Sequence, residues 1–110
     1  MAESKIQTKI IKHLQSRGVY CWRNNNAAIW DPKLNNGRGG YRFSSQGKRG
    51  VADILGVLPG GQHLEIEVKS AVGVQSPEQK IHQKRVEDLG GMYIVARSVK
   101  DIDHLCPGNA

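Results

Sequence analysis

Residues 50–70 read GVADILGVLPGGQHLEIEVKS, two β-prone runs, VADILGVL and HLEIEVK, on either side of Pro59-Gly60-Gly61. The second run alternates cleanly, with Leu64, Ile66 and Val68 on one face and Glu65, Glu67 and Lys69 on the other, the period-two pattern of a strand with one face in a core. A three-residue loop in which a glycine supplies the left-handed position closes such a pair into a hairpin. The register that follows sets Leu58 opposite Gln62, Leu55 opposite Glu65 and Asp53 opposite Glu67. Two carboxylates then face each other where Cβ atoms lie about 5 Å apart and like charges repel.

Charge in such a place needs a reason. An isolated E-x-E-x-K is compatible with a strand whose charged face is simply wet, and an isolated aspartate with a turn or a sheet edge. Asp53, however, is flanked by Val51, Ala52, Ile54 and Leu55, an apolar setting that suits a structural aspartate poorly. A divalent cation between Asp53 and Glu67 turns repulsion into coordination, and oxygen donors suit Mg2+ or Mn2+. Lys69 projects from the same face one step along. There it can hold a phosphate, or orient an attacking water and help to deprotonate it.

Outward from the hairpin, Ile6, Ile10, Ile11 and Leu14 recur at helical spacing before Gly18, which predicts an amphipathic helix from about Glu3 to Arg17. VYCW, 19–22, reads as a short strand. The stretch from Arg23 to Arg49 is polar and rich in Asn, Gly and Ser, with room for a hairpin, and a compact domain seldom keeps so long an excursion without a functional reason. Downstream, Ser76-Pro77-Glu78-Gln79 announces a helix, with Ser76 as N-cap, Pro77 at the first helical position and Gln79 closing a capping box. This helix should end near Leu89 before Gly90-Gly91, with Val86 and Leu89 toward the sheet. MYIVA, 92–96, reads as a buried strand, and Ser98 to Leu105 as a short last helix with Val99, Ile102 and Leu105 inward. The strand pair around the 77–89 helix makes a β-α-β unit, so the sheet is expected to be mixed, in an α/β fold of αβββαβ order flanked by helices.

The hairpin, its Asp…Glu-x-Lys signature and this order resemble the PD-(D/E)XK nuclease superfamily, and GVADILG, LEIEVKS, SPEQ and LGGMYIVARS together resemble the VRR-Nuc family in particular. The resemblance covers nearly the whole chain and is weakest from about Arg23 to Arg49. Ala52 stands where the superfamily often has proline, a departure it tolerates. The resemblance implies a restriction-endonuclease-like core in which Asp53 and Glu67 bind metal, the carbonyl of Val68 assists them and Lys69 is catalytic. Gln79 matches a glutamine of the family that would support the site or the substrate phosphate. Glu3 matches an acidic residue that some members carry on the first helix. The residues themselves leave Glu3 open: it continues the stripe of Ile6, Ile10 and Leu14, yet Ser4 to Gln7 could form a capping box that leaves it outside the helix.

At 110 residues the chain fits one domain, 1–110, with a modest core that needs neither disulfides nor a structural metal. No apolar run approaches a membrane span, and MAESKIQTK carries no signal-peptide core, so an intracellular, cytoplasmic protein in a bacterium or a phage-infected cell is expected. Cys21 and Cys106 are expected to be free thiols. His13, His63 and His104 lack partners at zinc-ligand spacing, and His82 reads as a hydrogen-bonded structural histidine. Glu65 shares the charged face one step further from Lys69 and reads as a supporting residue. GRGG at 37–40 lacks the Lys-Ser/Thr of a phosphate loop, which excludes nucleotide binding of that type.

Sixteen Lys and Arg against ten Asp and Glu give a formal charge of +6, which suits a polyanion. The six aromatics (Trp22, Trp30, Tyr20, Tyr41, Tyr93 and Phe43) do not form the spaced pattern of a base-stacking sheet. Lys48 and Arg49, just before the Asp53 strand, and Lys33, Arg38 and Arg42 in the long excursion are therefore read as DNA-backbone contacts, which position rather than specify. The expected activity is Mg2+- or Mn2+-dependent hydrolysis of DNA phosphodiesters. Similarity to stand-alone phage and bacterial VRR-Nuc proteins implies a homodimer acting on branched DNA such as Holliday junctions, and paired cuts on two strands need two sites related by a two-fold axis. The alternatives are a flap or single-strand nuclease of the same fold, or a module that binds branched DNA without cutting it.

Overall fold

The computed structural model describes residues 2–24, 29–42 and 50–106. Helix α1 (Glu3–Ser16) buries Ile6, Ile10 and Leu14, the stripe that helical periodicity requires. It begins at Glu3 with Ala2 as an uncapped N-cap, so no capping box forms from Ser4 to Gln7. Gly18, at φ +85°, ends it by letting Val19 N–H donate back to the Leu14 carbonyl at 3.0 Å.

Strands β1 (Tyr20–Arg23), β4 (Ile54–Val57), β5 (His63–Val68) and β6 (Met92–Ala96) form a four-stranded sheet in the order β1-β4-β5-β6. The first two pairings are antiparallel and β5–β6 is parallel, so the sheet is mixed and helix α2 (Pro77–Asp88) is its crossover. Counting only that sheet, the order is αβββαβ. Strands β2 (Ile29–Asp31) and β3 (Gly40–Arg42) form a separate two-stranded hairpin inserted between β1 and β4. Its turn places Asn35 and Asn36 in left-handed conformations, as amide side chains tolerate, and Trp30 meets Tyr41 edge-on across it. No helix among the described residues is long and apolar enough to cross a membrane.

The β4–β5 register is the expected one. Leu55 pairs with Glu65 and Ile54 with Ile66, and Leu58 N–H reaches the Gln62 carbonyl at 2.9 Å. Leu64, Ile66 and Val68 join Ile54, Ala96, Ile102 and the α1 stripe in one core. Glu65 and Glu67 therefore point to the opposite face, the face beside α2.

α2 departs from expectation. None of its residues is buried, and Leu89, expected toward the sheet, is 90% exposed. The helix stops at Asp88, so Leu89 becomes its C-cap and, of the two residues expected toward the sheet, only Val86 turns inward, half-buried. Polar attachments hold α2 instead. The capping box of Ser76 and Gln79 is formed, His82 bonds Glu65, and the Gln75 amide donates to Gln83 Oε1 at 2.9 Å. Gly50, at φ +85°, lies so close that an added Cβ would stand 2.4 Å from the Glu78 carbonyl. Gly50→Ala is expected to cost about 2 kcal/mol or more, from left-handed strain plus the clash, read as a lower urea midpoint at unchanged slope.

The last segment also differs. Ser98 to Leu105 forms two 3-10 turns, Val99–Asp101 and Asp103–Leu105, instead of one helix, because so short a segment does not nucleate a helix on its own and the Asp101 carboxylate takes the Arg97 N–H at 2.8 Å. The inward residues are nonetheless those expected, with Ile102 and Leu105 buried and Val99 half-buried.

Candidate active site

Asp53 sits at a bend one residue before β4. There its carboxylate replaces a ladder partner, accepting the Val68 N–H at 2.9 Å, while its own carbonyl accepts the Asn24 N–H at 2.7 Å. Asp53 is thereby fixed against the end of β5, beside Glu67. Glu67 is 3% exposed. Its Oε1 lies 3.6 Å from Lys69 Nζ, whereas its Oε2 is buried with no hydrogen-bond partner among the described residues.

The electrostatics follow from this packing. Burial pushes the Glu67 carboxyl up, the adjacent Asp53 charge adds to it, and the Lys69 ammonium offsets only part, leaving Glu67 at about 8. Two hard oxygen donors in mutual conflict, one with an orphaned buried atom and a cation alongside, are the residues that could hold Mg2+ or Mn2+. The Val68 carbonyl lies on the backbone between Glu67 and Lys69.

Behind this group stands a network that the sequence only half disclosed. Glu65, 2% exposed, accepts from the Ala52 N–H at 3.1 Å and pairs with His82 Nε2 at 2.9 Å and His63 Nε2 at 2.6 Å. Burial pushes the Glu65 carboxyl up, but the bonds from His63, His82 and Ala52 outweigh it and hold it below the usual range. His82 is thus hydrogen-bonded, as expected. His63 is the partner that was missed, although it shares the parity of Glu65 along β5. Tyr93, opposite Glu65 on β6, has its phenol pushed up by burial and by Glu67.

Glu3 approaches from α1. It is exposed, and its Oε2 accepts the Ser70 N–H at 3.0 Å. A Cβ at Gly73 would lie 3.3 Å from that oxygen and 3.4 Å from Lys69 Cδ, so Gly73 lies between Glu3 and the stem of Lys69. Gln79 uses its side-chain Oε1 to accept the Ser76 N–H at 2.8 Å, which ties it to the start of α2.

Of the basic residues, Lys33, Arg38 and Arg42 belong to the β2–β3 hairpin, all exposed, and Arg42 Nε pairs with Asp31 Oδ2 at 3.1 Å. Lys48 and Arg49 lie outside the described residues. Cys21 and Cys106 are free and buried. Unforeseen from spacing, His13 pairs with Asp103 at 2.7 Å across 90 residues, and Cys106 joins them within 4.8 Å, fastening the last turn to α1.

No family model matches the chain, and no solved structure matches it. Over 67 residues the chain is 36% identical to a protein named "Putative nuclease p44" from Acyrthosiphon pisum secondary endosymbiont phage 1, a match spanning 61% of this chain and 71% of that protein.

Proposed function

We propose that this chain, which belongs to the family of the phage protein named "Putative nuclease p44", hydrolyses DNA phosphodiester bonds with the help of a divalent cation held by Asp53, Glu67 and the carbonyl of Val68. The observation that carries this reading is the buried Glu67 oxygen without a partner, set beside a second carboxylate and a lysine. When bound, the cation lends positive charge to the phosphate and acidifies an attacking water. Asp53, locked by the Val68 N–H, and Glu67, enclosed on its strand, keep their oxygens in place without reorganising during reaction. Lys69 keeps its ammonium beside Glu67, where it offsets the charge that builds on the phosphate during attack. The Glu65 network anchors α2 against β5 and so sets the wall of the site.

The finer reading follows the resemblance. The chain acts as a VRR-Nuc type of PD-(D/E)XK nuclease, a homodimer with two sites, selective for branched DNA such as Holliday junctions. Labelled four-way junction, flap and linear duplex, each incubated with Mg2+, Mn2+ or EDTA, test it. Cutting that needs metal and favours the junction is the expected result; binding without cutting under every condition would leave a DNA-binding module in place of a nuclease.

A further inference from the structure

On the far side of Ser70 from Lys69, a cavity of about 420 Å³ opens between the start of α1 and the turn after β6. Ile6, Ala71 and Val99 line it together with Lys9, Arg97 and Lys100, three cations without a carboxylate among the lining residues. Among the described residues neither Lys9 nor Lys100 is ion-paired. Arg97 is oriented, its guanidinium donating to the Ser70 carbonyl while its backbone N–H is held by Asp101. Ser70 is thus a joint. One side of it continues into Lys69, and the other into Ala71 of the groove, at most about 7 Å away along the chain.

Apolar contact surface bordered by three basic residues suits a ligand that carries both a flat organic part and a phosphate, and the volume is that of a small-molecule site. We propose that this groove holds one unpaired nucleotide of the substrate strand next to the scissile phosphate, its phosphate among Lys9, Arg97 and Lys100 and its sugar and base against Ile6, Ala71 and Val99. The identity of the occupant rests on the nuclease reading. A base held in a duplex cannot enter such a cavity without leaving its stack, so the groove favours strands that are single, frayed or branched at the cut. Selectivity for DNA structure then has a physical source on this side of the site.

The test is binding of a short fluorescent oligo(dT) and of a blunt duplex, both in EDTA so that no strand is cut. Lys9→Ala with Lys100→Ala is compared with wild type and with Lys5→Ala with Lys12→Ala, which removes equal charge from α1 outside the groove. The groove variant is expected to bind oligo(dT) about tenfold more weakly, with the slope of log K against log salt shallower by about 1.4, two released counterions at about 0.7 each, and to lose less on the duplex. Ala71→Glu, a change at an exposed position, is expected to weaken oligo(dT) binding similarly. Equal losses in both double variants, equal losses on both DNAs, an unchanged slope, or no binding of oligo(dT) by wild type would each overturn the groove. The two readings fail separately: cutting by wild type with an unchanged slope removes the groove alone, whereas groove-dependent binding without cutting in any metal removes the nuclease alone.

Discussion

Glu67→Gln is expected to lower metal-dependent cleavage by about a thousandfold, the scale for losing one preorganised electrostatic group, and at the same time to raise the melting temperature of the metal-free protein by about 5 °C at about pH 8.5. Both effects have one cause. The Glu67 carboxyl ordinarily titrates near 4.5 and stands at about 8 in the fold, so the folded chain retains a proton that the unfolded chain has lost. Stability from that proton is fully present below about pH 4.5 and disappears as pH rises through about 8. Above that pH the protein buries two like charges side by side, and the neutral amide removes the conflict. Near pH 5, where Glu67 is already neutral, variant and wild type are expected to melt within a degree or two of each other. Differential scanning at the two pH values, in EDTA, decides it. A variant that is less stable at the high pH would mean that Glu67 is not held in conflict with Asp53.

Lys69→Met separates binding from chemistry. Cleavage is expected to fall by about 10²–10⁴-fold, the range for removing a group that manages a proton or offsets charge in the transition state, while stabilisation by Mn2+ persists because Asp53 and Glu67 remain. The ammonium pulls the Glu67 carboxyl down, so without it Glu67 holds its proton to higher pH and the Mn2+-induced thermal shift should require more alkaline conditions. A plot of that shift against pH for both proteins checks the displacement. Unchanged cleavage would remove Lys69 from the chemistry, whatever the metal does.

How much of this was legible depends on the range of the interaction. Alternation along residues 63–68 is a local property, and a short glycine loop leaves one sensible register; Asp53, Glu67 and Lys69 therefore came together as the sequence predicts. The capping box at Ser76 and Gln79 is equally local and formed. Other features depend on partners far away in sequence. Glu3 meets Ser70 across 67 residues, and helical periodicity alone could not say whether that carboxylate turned to the core or to a distant backbone amide. His82 needed Glu65 as its partner, and Leu89 was misplaced because a helix with few apolar residues gives periodicity little to act on. Likewise, Gln79 was legible as a cap, but a cap's geometry reveals nothing of what lies across the cleft.

The division of β5 into a core face and a chemical face has a consequence for how such a chain can change length over generations. Leu64, Ile66 and Val68 meet α1, while Glu65 and Glu67 meet the site, and this assignment is carried by nothing but odd and even numbering. One inserted or deleted codon between His63 and Glu67 would exchange the faces of every residue on one side of it, placing carboxylates in the core and isoleucine in the site. Pro59 to Gly61, outside the ladder, is under no such parity constraint. Length variation among descendants of this chain should therefore collect in that turn and avoid the strand beside it.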